Sequence, residues 1–216
     1  MEYHKETGDN KADRLGNSIL HRIGLPFFLC NASVALKSGI AETEKLKGLC
    51  KFMKKIAIIM GSDSDLPVAE KAINVLASYE VPYEVHVFSA HRTPVEAKEF
   101  TVNARENGFG AIIALAGMAA HLAGAIAANT TLPVVGVPVK SANLDGLDAL
   151  LSTVQMPSGI PVATVAIDGA ANAATLCVEM LAISDDELAK KLAAVRAEST
   201  AKVLARNKAI EQKYNR

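Results

Sequence analysis

Tryptophan is absent, and aromatic residues make up only 5% of the 216-residue chain. So few rings leave little from which to build a base-stacking surface for single-stranded nucleic acid. An excess of either charge is lacking too: 23 Lys and Arg balance 23 Asp and Glu. Without a basic excess there is no electrostatic footprint for nucleic acid or an anionic membrane. The three cysteines, Cys30, Cys50 and Cys177, form no CxxC pair. That argues against a disulfide framework or a cysteine-rich zinc site, and for a reducing compartment. No apolar run reaches the roughly 18 residues that a membrane-spanning helix needs. Neither a Walker loop nor GxGxxG occurs, so ATP and dinucleotides lack their usual cradle.

What is present divides into two parts. Residues 1–52 open with "MEYHKETGDNKADRLGNS", which is polar, mixed in charge and without period. The apolar stretch "GLPFFLCNASVAL" lacks the net positive approach of a signal peptide. Glu2, Glu6, Asp9 and Asp13 do not suit a mitochondrial presequence. "AETEKLKGLCKFMKK" has the makings of a short helix. We read residues 1–52 as a poorly ordered leader of unknown role, and 53–216 as a single domain opened by Met53. Half of all residues are apolar, which supports one sizeable core.

From Met53 the chain alternates. The apolar runs "KIAIIM", "YEVHVFS", "GAIIAL", "PVVGVPV" and "VATVAI" read as strands. Helical period follows each, over 65–79, 93–107, 119–129, 145–154 and 170–183. Five βα units imply a parallel sheet covered on both faces, a three-layer α/β sandwich. Five strands fit the flavodoxin-like order 2-1-3-4-5. A long charged helix over 185–214 closes the chain, with Ser184 as its expected cap. Its narrow stripe of Leu188, Leu192, Val195 and Leu204 needs a surface to cover.

Ligands of parallel α/β sheets sit at the carboxyl ends of the strands. Those ends carry "GSDSD", "SAHRTP", "AGMAAHLAG" and "KSANLDG". In the first, Gly61 favours a tight turn, while Ser62 and Ser64 flank the free N–H groups of a helix start. That is a natural phosphate cradle. Asp65 fits the N-cap position, and its carboxylate suits ribose hydroxyls; the alternative is that Asp63 and Asp65 only cap. In the second, Ser89, His91 and Arg92 stand together, with Thr93 and Pro94 opening a helix. Arg92 suits a phosphate gripped by two parallel hydrogen bonds. His91 brings an imidazole, a side chain that can both give and take a proton. His121 in the third loop has two readings, a site residue or a histidine bonded within a helix. His86 lies inside a strand, and His4 and His21 lie in the leader, so none of these is a candidate. The cysteines read as packing residues. No carboxylate or Cys stands at ligand spacing from His91 and His121, so no metal is expected.

"MGSDSDLPVAEKA", "SAHRTP", "AGMAAHLAG", "GVPVKSANLDGLDALLSTVQMPSGIPVATVAI" and "GAANAA" follow one another in that order. Together they resemble the 5-(carboxyamino)imidazole ribonucleotide mutases (class I) of bacterial purine biosynthesis, over about residues 54–183. The resemblance implies a cytoplasmic homo-octamer with sites between subunits, needing neither metal nor organic cofactor. It implies transfer of a carboxylate from the exocyclic nitrogen to ring carbon four, through carbon dioxide held in a closed pocket. His91 and His121 then match the catalytic histidines. Ser62, Asp65 and Arg92 match substrate contacts, Ser64 and Ser89 stand beside the phosphate, and Ala90, Gly117 and Leu122 line the pocket. The related direct carboxylases have Lys after the first histidine and lack the second; Arg92 and His121 favour the mutase. Met118 departs from a frequent Gly, and Ala123 from a frequent Pro. Two other readings are a flavodoxin-like flavin or nucleotide carrier, which should place aromatics beside "GSDSDLP", and an inactive scaffold.

Overall fold

The computed structural model describes residues 53–215. The leader reading falls outside them, as do Cys30, Cys50, His4 and His21. Five strands form: β1 (Lys55–Met60), β2 (Tyr83–Val87), β3 (Phe109–Gly117), β4 (Val134–Val139) and β5 (Ala163–Thr164). All pair in parallel, in the order β2-β1-β3-β4-β5, as the flavodoxin-like reading expects. Parallel neighbours require crossovers. These are α1 (Leu66–Ser78), α2 (Pro94–Asn103), α3 (Leu122–Ala127) and α4 (Leu147–Val154), followed by α5 (Ala170–Ala182) and α6 (Asp186–Tyr214).

Alternate strand residues feed two cores, because successive side chains point to opposite faces. Ile56, Ile58, Ile113 and Leu115 meet Leu76 of α1 and Cys177 and Val178 of α5. Ile59, Ile112 and Ala114 meet Leu122 and Ile126 of α3. Each fully buried isoleucine contributes about 1.5–3 kcal/mol of transfer free energy. Burial pushes the Cys177 thiol up to about 12, so it stays protonated and packs as an apolar group. At Gly136 a Cβ would meet Thr153 Cγ2 at 2.4 Å and Val162 Cγ1 at 2.9 Å. Only glycine lets α4 press so closely on β4.

Some boundaries differ from the expectation, each for a physical reason. The fifth strand, expected over 162–167, shortens to Ala163–Thr164. Val165 N–H still donates to Gly136 O, and Asp168 N–H to Pro138 O. Pro138 has no N–H to return on that side, so the ladder lapses. The helix expected over 119–129 begins only at Leu122, because two tight turns consume the residues before it. Ala120 N–H donates to Met118 O and His121 N–H to Ala119 O. The cap of α6 is Asp185 rather than Ser184: its carboxylate accepts from Leu188 N–H at 3.2 Å. On α6, Leu188 and Leu192 are buried against the domain, while Val195 and Leu204 are exposed.

Candidate functional site

The four loops do meet. They surround a cleft of about 570 Å³ at the carboxyl ends of β1 to β4. Every proposed site residue lines it: Ser62, Ser64, Asp65, Ser89, Ala90, His91, Arg92, Gly117, His121 and Leu122. His86, set aside from the sequence, sits on β2 packed against the Phe88 and Phe100 rings, at centroid distances of 5.2 Å and 4.6 Å.

The β1 loop forms by a different route from the one expected. Asp65 does cap α1 in sequence, but its side chain makes no cap bond. Its backbone is already helical (φ −84, ψ −4), because Asp63–Asp65 forms a 3-10 turn that runs into α1. Ser62, with extended backbone, is the residue that caps, accepting from Ser64 N–H at 3.3 Å. The Ser64 hydroxyl also donates to Ser62 Oγ at 2.8 Å. Gly61 is not demanded by this turn: a Cβ there would meet its nearest atoms at an ordinary 3.7 Å. Asp65 is a buried residue whose carboxyl lies at the floor of the cleft. Desolvation raises its pKa most; the nearby Asp168 and Asp63 charges raise it further, and hydrogen bonding with Ser62 and Ser64 opposes them.

In the β2 loop, Ser89 Oγ accepts from His91 N–H (3.4 Å) and Arg92 N–H (3.2 Å). Thr93 Oγ1 accepts from Ser89 N–H at 2.8 Å. These bonds fold the strand end back and present two adjacent side chains to the cleft. Arg92 Nη2 donates to Gly61 O at 3.1 Å, which draws the guanidinium over β1 beside the two serines. Two serine hydroxyls, a guanidinium and the start of α1 thus converge. Such a group of donors suits a phosphate.

The β3 loop brings His121 to His91. His121 Nδ1 and His91 Nε2 lie 2.9 Å apart, with the rings edge-to-face at 89°. His121 precedes α3 rather than lying inside it, which removes the reading of a histidine bonded within a helix. A bond between two imidazole nitrogens requires one proton between them, so one ring donates and the other accepts. The pair therefore holds a proton and an acceptor side by side, which is what acid–base work on a bound molecule needs. Met118 starts this loop at φ 53, a left-handed conformation in which a glycine would be unstrained. The residue is exposed at the cleft mouth and bears on the departure noted at this position.

One wall was not singled out from the sequence. Val139, Lys140, Ser141 and Ala142, at and beyond the end of β4, also line the cleft. The only signal was the position of "KSANLDG" at a strand end. Among the described residues, no cluster of three His, Cys, Asp or Glu side chains is arranged to hold a metal ion.

A model of the AIR carboxylase family matches residues 55–202. The N5-carboxyaminoimidazole ribonucleotide mutase of Pyrococcus abyssi is 59% identical over 140 residues, which cover 65% of this chain and 80% of that protein. The chloroplastic phosphoribosylaminoimidazole carboxylase of Vigna aconitifolia is 48% identical over 157 residues, which cover 73% of this chain but 28% of that protein. Among solved structures, that of Treponema denticola PurE superposes with a TM-score of 0.64 at 26% identity, covering 74% of this chain and 98% of that one.

Proposed function

The chain belongs to the AIR carboxylase family, and from that premise we propose that it is an N5-carboxyaminoimidazole ribonucleotide mutase of purine biosynthesis. The observation that carries this reading is the His91–His121 pair, 2.9 Å apart beside a phosphate-type cradle. In the proposed reaction a proton reaches the exocyclic nitrogen as its bond to the carboxylate carbon breaks, leaving carbon dioxide and aminoimidazole ribonucleotide. Carbon four then bonds to the carbon dioxide, and its own proton returns to the histidine pair. Atoms and charge balance without an external reactant. His91 exchanges the proton with substrate and His121 stands near the carboxylate. Arg92, Ser62, Ser64 and Ser89 hold the phosphate, and Asp65 holds the ribose. Ala90, Gly117 and Leu122 form a small apolar wall that suits carbon dioxide. Water must be kept from that wall, since escape of the gas would uncouple the reaction.

The cleft of one chain leaves both imidazoles exposed. Closure by other subunits of a homo-octamer answers that need. Leu147, Leu151 and Val154 on α4 and Val203 and Ile210 on α6 are exposed apolar residues available for it. We place the enzyme in the cytoplasm and assign it no metal or organic cofactor; among the described residues no helix is long and apolar enough to cross a membrane. Mutase is preferred to direct carboxylase because Arg92 and His121 hold the positions that separate the classes, and the mutase relative is matched over most of its length. The test is turnover of the carboxyamino ribonucleotide with no ATP, metal or bicarbonate. Full conversion to the carbon-carboxylated product supports the mutase. Conversion only of aminoimidazole ribonucleotide plus added bicarbonate supports the carboxylase.

A further inference from the structure

We propose that Lys140 binds the carboxylate of the ligand, an inference that rests on the carboxyl-transfer reading above. The substrate so assigned is anionic at both ends, with a phosphate on the ribose and a carboxylate on the heterocycle. Among the described residues that line the cleft, Arg92 and Lys140 carry the permanent positive charges. Arg92 stands past β2 and reaches back over β1 to Gly61 O. Lys140 stands past β4, two strands further along the sheet than β1. Neighbouring strands are about 4.8 Å apart, so Arg92 past β2 and Lys140 past β4 stand at opposite ends of the row of strand ends that carries the cleft. A ribonucleotide anchored through its phosphate at Arg92 directs its ring across the histidines and toward Lys140.

The local build keeps the ammonium at that rim. Lys140 is the first residue beyond β4, a strand buried along its whole length. Its N–H donates to Asp168 Oδ1 at 2.9 Å. Asp145 (φ 52) and Gly146 (φ 90) are both left-handed, and a Cβ on Gly146 would lie 3.1 Å from Lys140 Cα. This tight return brings Asp145 Oδ1 to 3.0 Å from Lys140 Nζ. The two side chains are 60% and 81% exposed, so their pairing is weak and easily shared. An ammonium has three donors, and the Asp145 bond uses one. Asp145 and Asp168, the acids in contact with Lys140, would repel a carboxylate there if the lysine charge were removed.

The experiment is calorimetric titration of the full chain with two probes. Aminoimidazole ribonucleotide lacks the carboxylate, and its carbon-carboxylated product has it. Lys140→Gln should weaken the carboxylated probe about tenfold, the scale of a lost charge-assisted bond. The uncarboxylated probe should change by no more than about twofold, as for an ordinary surface substitution. Lys140→Arg should restore most of the loss, because charge and donors return. Equal weakening of both probes, or of neither, would overturn the assignment. Failure of the wild-type chain to bind either probe would overturn the ribonucleotide reading, and this inference with it.

Discussion

The two ends of the sheet carry cavities of opposite character. At the amino end a cavity of about 870 Å³ is lined by Arg105, Glu106, Asn129, Thr130 and Thr131 among apolar residues. The cleft at the carboxyl end is smaller, about 570 Å³. Size therefore points one way and chemistry the other. At the amino end the ends of α2 and α3 arrive, and the negative poles of helices disfavour anions. Arg105 there is engaged with Thr131 Oγ1 at 2.9 Å. The carboxyl end has the starts of α1 and α2, two serine hydroxyls, a guanidinium and a bonded histidine pair. Direction along a parallel strand, rather than volume, decides which end becomes a site.

That comparison can be broken by substitution. The largest effect is expected at His91. His91→Asn should cut turnover by roughly 10²-fold or more, the scale of a lost general acid–base, while ribonucleotide affinity stays within about tenfold. Steady-state rates and a binding titration measure both; near-normal turnover would remove the residue from its role. Next is Arg92→Lys, which keeps charge but loses the planar fork. Affinity for the ribonucleotide should fall about tenfold, and for the free nucleoside much less. Equal losses would mean that Arg92 does not read the phosphate.

Asp65 gives a smaller effect with a defined sign. Its carboxyl pKa is raised by burial, so the folded state disfavours the ionised form. The group favours folding fully below its unfolded pKa, and that advantage is lost as pH rises through the folded pKa. Asp65→Asn should therefore raise the melting temperature at pH 7, with the gain fading toward pH 3, while binding of the ribonucleotide weakens. A melting temperature lowered at pH 7 would contradict it. The smallest effect is expected at the other end: Arg105→Ala should leave turnover within about twofold, as for a surface residue away from chemistry. A large loss there would mean that the larger cavity takes part.

The sheet was legible because its signal is local. Runs such as "KIAIIM" and "PVVGVPV" are apolar on both faces, and only a doubly covered parallel strand needs that. The strand ends then located the cleft, and with it His91, Arg92 and His121. Features that depend on contact between distant segments were hidden. The lapse of β5 depends on Pro138 in the neighbouring strand, and the cap of α6 on which of two adjacent polar residues takes extended backbone. "GSDSD" suggested Asp65 as the cap, yet the 3-10 turn moves that task to Ser62. Lys140 lay within a quoted loop but carried no motif of its own. Its place is visible only when β4 is seen beside β3.

The central claim is that carboxyl transfer occurs within the cleft around His91 and His121. Running the carboxyamino ribonucleotide in labelled bicarbonate for a few turnovers tests it most directly. The reaction must be brief, because the substrate also loses carbon dioxide spontaneously. The account predicts product with little label, since the gas is recaptured before it mixes with solvent. Product labelled to the level of the medium from the first turnover would contradict it, and would mean that carbon dioxide enters from solution.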